Sequence, residues 1–149
     1  MSYFNVRVYG LLLNDSNEVL ISDEQEYGMQ FSKFPGGGLE IGEGLIDGLK
    51  REFIEECNLD IEILAHFYTT DFYERSVFNE SQVLSVYYLV KESAEIKMAF
   101  KTNAFDFDTK EEPHQSFRWV SLKTIMPEDV TFKTDKAVVS LLIEKFRNS

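Results

Sequence analysis

The run Phe34-Pro35-Gly36-Gly37-Gly38 constrains this chain more than any other stretch. Three adjacent glycines open backbone angles closed to other residues, and they let a ligand approach the main chain with no side chain in the way. The spacing that follows predicts a helix over residues 43–57. Leu45, Leu49, Phe53 and Cys57 recur every fourth residue and form one apolar stripe. Glu52, Glu55 and Glu56, at i, i+3 and i+4, gather on another face. Like charges at that spacing destabilise a helix by roughly 0.2–0.5 kcal/mol per pair. Most acidic helix faces are simply solvated. Beside a glycine turn, however, three carboxylates also supply the oxygen donors that a hard divalent cation such as Mg²⁺ prefers.

Charge narrows the partners. The 26 acidic and 15 basic residues leave a formal net charge of −11. Such a surface repels nucleic acid and anionic membrane, so neither is an expected partner. If the ligand is a phosphate ester, divalent cations must supply the missing positive field. The lone Cys57 allows no disulfide within the chain, which fits a reducing cytoplasm. No apolar run approaches the ~18 residues of a membrane span. The N-terminus shows no cleavage-like segment. A length of 149 residues suits a single domain over residues 1–149, able to bury its core without staples.

Hydrophobic alternation predicts strands at residues 3–13, 18–23, 39–41, 61–72, 83–90, 96–100 and 117–120, the second as hairpin partner of the first. Within the first strand, Asn5, Arg7 and Tyr9 point to one side. Residues 24–33 and 101–115 read as polar loops, and Trp119 is expected inward. A second helix is expected over residues 134–146, with Val138, Val139, Leu142 and Phe146 on one face. Strands interrupted by two helices predict an α/β fold, a mixed sheet held between helices.

Residues 37–59, GGLEIGEGLIDGLKREFIEECNL, resemble the signature of the Nudix family, the Nudix box, G-x5-E-x7-R-E-U-x-E-E-x-G-U with U bulky and apolar. Gly37, Glu43, Arg51, Glu52, Phe53, Glu55, Glu56 and Leu59 stand in register. A chance match is on the order of 10⁻⁸ per starting position from average residue frequencies. Asn58 replaces the usual glycine. That position needs a left-handed backbone, which Asn tolerates best after Gly, so a small stability cost is expected.

The resemblance implies a Nudix α/β sandwich and Mg²⁺-dependent (or Mn²⁺-dependent) hydrolysis of a diphosphate linkage in a nucleoside diphosphate derivative. It makes Glu52 and Glu56 the main metal ligands, Glu55 a third ligand or the holder of metal-bound water, and the Gly37 carbonyl a further ligand. Arg51 orients a box glutamate, and Glu43 supports the ion-pair network. The general base is Glu55 or Glu56, or a glutamate from a later loop, for which Glu112 is preferred over Glu111. Arg7 and Lys33 are candidates to meet substrate phosphates beside Gly36 and Gly37, as are Arg75 and Arg118. Each of these cations has the alternative of pairing with an acid. His114 is a candidate to contact a phosphate or the attacking water, with exposure in a loop as the commoner reading for a lone His, and His66 reads as one that packs or hydrogen-bonds. Tyr3, Phe34, Phe72, Tyr73, Phe78 and Tyr88 are possible ring platforms. The chain lacks the proline that marks many ADP-ribose enzymes some fifteen residues past the box, which lowers that substrate. Nudix enzymes are commonly homodimers. The rival reading is a Nudix-fold module that binds nucleotides or metabolites without cutting them. A diphosphate isomerase is a third, though Cys57 inside the helix stripe offers no evident cysteine acid.

Overall fold

The computed structural model of the chain describes residues 2–147. Its contacts fall into two units, each assembled from two separated stretches: residues up to 12 with 35–97, and 13–34 with those from 98 onward.

The first unit carries the glycine run. Its sheet has the order β4-β1-β6-β5, with β1 at Phe4–Leu12, β4 at Gly36–Gly38, β5 at Ile61–Thr69 and β6 at Gln82–Glu92. The sheet is mixed. β1 runs parallel to β6, with Arg7 beside Ser85 and Tyr9 beside Tyr87, and antiparallel to β4, with Arg7 opposite Gly38 and Tyr9 opposite Gly36. Strand alternation separates the two faces of β1. On one face Tyr9 stacks on Tyr87 with ring centroids 5.2 Å apart. On the other, Gly10 receives the helix α1, Leu45–Cys57. A Cβ at Gly10 would stand 2.5 Å from the Phe53 ring, so the missing side chain is what lets that ring seat.

The helix buries the stripe its spacing predicts. Leu49 and Phe53 are fully buried, Cys57 is 2% exposed, and Leu45, in the first turn, is half-buried. Each of the large side chains contributes roughly 1.5–3 kcal/mol by leaving water. Asn58 ends the helix in the left-handed region, at φ 48° and ψ 43°. Its N–H donates to the Ile54 carbonyl at 3.1 Å, and the Leu59 N–H donates to that of Phe53 at 3.3 Å. The left-handed conformation expected at Asn58 is therefore present.

The second unit is an antiparallel sheet with β2, Glu18–Glu26, between β3, Met29–Lys33, and β7, His114–Ser121. The helix α2, Lys133–Leu142, runs on into a π-helical turn, Ile143–Arg147. Val138, Val139 and Leu142 are buried as predicted, and Phe146 is half-buried. The Arg147 guanidinium donates to the carbonyls of Leu122 and Ile125, at 3.1 and 2.6 Å.

Four expectations are corrected. β2 pairs with β3 and β7 rather than with β1. Residues 29–33 form a strand, because Lys33 and Ser32 find partners in β2 that make polar residues tolerable there. The short strand lies at the glycines 36–38 rather than at 39–41, since Gly36 and Gly38 pair with β1. Residues 96–100 form no strand: Ile96 and Met98 are half-buried in alternation, but no neighbouring strand takes their backbone groups. Trp119 is half-buried and packs against Phe100 at 5.4 Å. No described helix is long and apolar enough to cross a membrane.

Candidate active site

Arg51 organises the acids of the first unit. Its Nε donates to Glu43 Oε2 at 3.0 Å and its Nη2 to Glu43 Oε1 at 2.6 Å, a bidentate pair. Nη1 reaches Glu52 at 3.0 Å and Glu55 at 3.1 Å. Nη2 also donates to the Gly38 carbonyl at 3.0 Å. One planar fork thus ties the helix, the acid that precedes it and the glycine strand together. The hydrogen bonds from Arg51 are the main reason the Glu43 carboxyl is held down to about 2, with the Glu40 N–H, 2.9 Å from Glu43 Oε1, adding to it. Glu43 in turn leads the groups that push the Arg51 guanidinium further above its already high value.

The glycines bring backbone and carboxylates together. The Gly36 N–H donates to Glu56 Oε2 at 3.2 Å. A Cβ at Gly37 would lie 2.7 Å from both oxygens and the carboxyl carbon of Glu52. Only a residue without a side chain lets that carboxylate settle against the main chain. Gly36 has a different requirement: its φ is 148°, and a Cβ would stand 2.1 Å from the Val8 carbonyl oxygen.

Arg7 joins this group from β1. Its Nε donates to the Tyr9 hydroxyl at 2.6 Å. Tyr9 first, and then Glu52 and Glu56, raise the guanidinium's pKa against the cost of burial. The sequence by itself does not mark Tyr9 as a partner of Arg7. The signal that hints at it is the strand period, which puts residues 7 and 9 on one side.

Lys33 is 6% exposed in the second unit, where it pairs with Glu24 at 3.2 Å and donates to the Phe34 carbonyl. Arg118 forms a two-bond pair with the fully buried Asp23, at 2.6 and 3.1 Å. Glu112 accepts from the Gln25 amide and the Gly28 N–H, each at 2.9 Å, and so binds the turn after β2. Those bonds, that of Gln25 first, hold its carboxyl below the ordinary range, which makes it a weaker base. His114 is not an exposed loop residue: it begins β7 with 6% exposure, stacked on Phe107 at 4.9 Å and hydrogen-bonded to Thr109 at 2.9 Å. His66 bonds Thr69 at 2.8 Å and meets Tyr88 edge-on, as its strand position suggested. Arg75 lines a cleft of about 450 Å³ with Tyr3, Tyr73 and Gln82, at the start of β1.

The donor set of the box has the chemistry a hard cation needs: the Glu52, Glu55 and Glu56 carboxylates, all oxygen, beside a glycine backbone. Among the described residues, no three Asp, Glu, His or Cys side chains already stand as a closed metal cage. Glu52 and Glu55 are instead turned to Arg51, and Glu56 to the Gly36 N–H. In donor chemistry these residues fit a divalent ion, which Glu52, Glu55 and Glu56 would hold.

The family model described as the NUDIX domain matches residues 4–141. No curated protein sequence matches the chain. Among solved structures, the MutT protein from Methanosarcina mazei Go1 superposes with a TM-score of 0.72 at 20% identity, over 97% of this chain and 95% of that one. A NUDIX hydrolase from Nitrosomonas europaea gives 0.62 at 18% identity, over 97% and 89%. An ADP-ribose pyrophosphatase from Streptococcus suis gives 0.63 at 16%, over 96% and 92%. At these identities the structures establish the shared fold.

Proposed function

The chain belongs to the Nudix family of pyrophosphohydrolases, and from that membership we propose that it hydrolyses the diphosphate linkage of a nucleoside diphosphate derivative in the presence of Mg²⁺ or Mn²⁺. One observation carries the reading. Glu52 and Glu56, one helical turn apart, are both seated against the Gly36–Gly37 backbone, the one through the missing Cβ of Gly37 and the other through the Gly36 N–H.

Glu52, Glu56 and the Gly37 carbonyl would hold the ion, with Glu55 as third ligand or holder of its water. A bound divalent ion neutralises charge on phosphate oxygens and yields a nucleophile near neutral pH. Arg51 holds Glu52 and Glu55 in place through Nη1. Glu55 is 56% exposed, and among the described residues its Oε1 accepts no hydrogen bond. We assign Glu55 Oε1 as the acceptor of the proton that the attacking water loses. Glu112, already engaged by Gln25 and Gly28, is the weaker candidate. Arg7 would meet a substrate phosphate beside the glycines. The match over residues 4–141 supports reading residues 1–149 as one Nudix domain. We place the protein in the cytoplasm on the strength of its single buried thiol.

The test is phosphate release, coupled to a phosphatase, from nucleoside triphosphates, nucleotide sugars, ADP-ribose, dinucleoside polyphosphates and coenzymes with Mg²⁺. We expect turnover of at least one class, abolished by chelation. Binding without turnover across the panel would overturn hydrolysis in favour of a regulatory module.

A further inference from the structure

The terminal nitrogens of Arg7 stand out among the cations near the box. Arg51 gives its fork to three carboxylates and a carbonyl. Arg7 is half-buried, and its Nε is taken by Tyr9 at 2.6 Å. Among the described residues, its Nη1 and Nη2 make no hydrogen bond or ion pair. The edge is not sealed in the core, where Ser85 and Ser116 hold the buried side-chain polar atoms without a partner among the described residues, so an incoming acceptor can reach it, and Glu52 and Glu56 act on it only through space. The edge lies beside the glycine strand: a Cβ at Gly38 would be 3.6 Å from Nη1.

The group that fixes this edge is itself immobile. Tyr9 is 6% exposed, and its ring stacks on Tyr87, which is fully buried. The Arg7 guanidinium carbon lies 5.7 Å from the Tyr9 ring centroid, so the side chain folds back over the phenol that holds it. With Nε occupied, only the end-on edge, Nη1 with Nη2, can grip an anion. That edge matches two oxygens of one phosphate.

We propose that Tyr9 is a positioning residue for the substrate: its hydroxyl locks Arg7 so that the Nη1–Nη2 edge receives a phosphate of the diphosphate beside Gly38. The proposal rests on the pyrophosphohydrolase reading above. It makes affinity for the diphosphate depend on a phenol that need not touch the substrate.

The test uses the full chain with Mg²⁺ and the panel member it turns over fastest. Tyr9→Phe keeps the ring and its stacking on Tyr87. Releasing one hydrogen bond to a charged group should raise KM roughly tenfold while kcat stays within about twofold. Arg7→Ala should raise KM further, and adding Tyr9→Phe to Arg7→Ala should change nothing more, because the phenol acts only through Arg7. Arg7→Lys keeps the charge but has no Nε to anchor. It should show the same rise in KM, which covers the case of Tyr9→Phe losing melting temperature. An active wild type with KM unchanged in both Tyr9→Phe and Arg7→Lys overturns this inference alone. So does a Tyr9→Phe effect equally large on the Arg7→Ala background. A wild type that turns over no panel member overturns the hydrolase reading, and this inference with it.

Discussion

Gly37→Ala isolates the geometry of the carboxylates from the stability of the fold. The added methyl would lie 2.7 Å from Glu52 Cδ, Oε1 and Oε2. That is about 1 Å inside the ~3.5–4.0 Å at which nonbonded heavy atoms rest. The carboxylate is the movable partner, so it retreats by about that amount. Metal–oxygen distances are held to within ~0.2 Å, and a misplacement of ~1 Å in a reacting assembly costs on the order of 100-fold. We therefore expect kcat to fall roughly 100-fold and the Mg²⁺ requirement to rise. The Gly37 backbone does not sit in the left-handed region, so the melting temperature should stay near that of the wild type. The neighbours supply controls. A Cβ at Gly38 meets nothing nearer than Arg7 Nη1 at 3.6 Å, so Gly38→Ala should leave the melting temperature near that of the wild type. Gly36→Ala drives a methyl to 2.1 Å from the Val8 carbonyl and should destabilise the fold itself. Steady-state kinetics over a magnesium titration, with thermal melts by circular dichroism, would separate the three. A Gly37→Ala protein with kcat within threefold of wild type at every magnesium concentration would refute the placement of Glu52 as a ligand.

Glu56→Gln should melt like the wild type yet lose roughly 100-fold or more in metal-dependent turnover, since even residues behind a ligand typically cost 10–100-fold; wild-type activity would remove Glu56 from the ligand set. The Glu43 carboxyl, held at about 2 by Arg51, lies below its unfolded value near 4.5, so its stabilisation is complete above pH 4.5 and is lost as pH falls towards 2. The deficit in melting temperature of Glu43→Gln should accordingly shrink between pH 5 and pH 2.5, and a deficit constant across that range would show that the ion pair is not its source. Asn58→Gly should relieve the left-handed cost at the end of α1 and stabilise by about 0.5 kcal/mol, ~1–2 °C in Tm for a chain of this size; a lower Tm would contradict the capping role.

The box was legible because its determinants are local. A 3.6-residue period fixes both the stripe of Leu49 and Phe53 and the cluster of Glu52, Glu55 and Glu56, and the left-handed turn at Asn58 follows from residue type. Strand partners were less legible. Nothing near residues 4–12 announces that their neighbour is 82–92, and the polar composition of 29–33 concealed a strand whose Ser32 and Lys33 are satisfied by Asp23 and Glu24 across the ladder. His114 misled for the same reason: its burial depends on Phe107 and Thr109 in a stretch with no periodic signal. The Arg7–Tyr9 pair lies between these cases, its shared side given by the strand period and its proximity to Glu52 and Glu56 only by the folded sheet.

The chain leaves the box-bearing unit after residue 12 and returns to it at residue 35. On the ribosome, β1 must therefore wait for β6, 78 residues later, before its parallel edge is covered. At ~5–20 residues per second of synthesis that delay is several seconds. Through the later part of it, even once β4 has covered the other edge, the nascent chain leaves one edge of a strand bearing Val6, Val8 and Leu11 open, an invitation to chaperones and to other nascent chains alike.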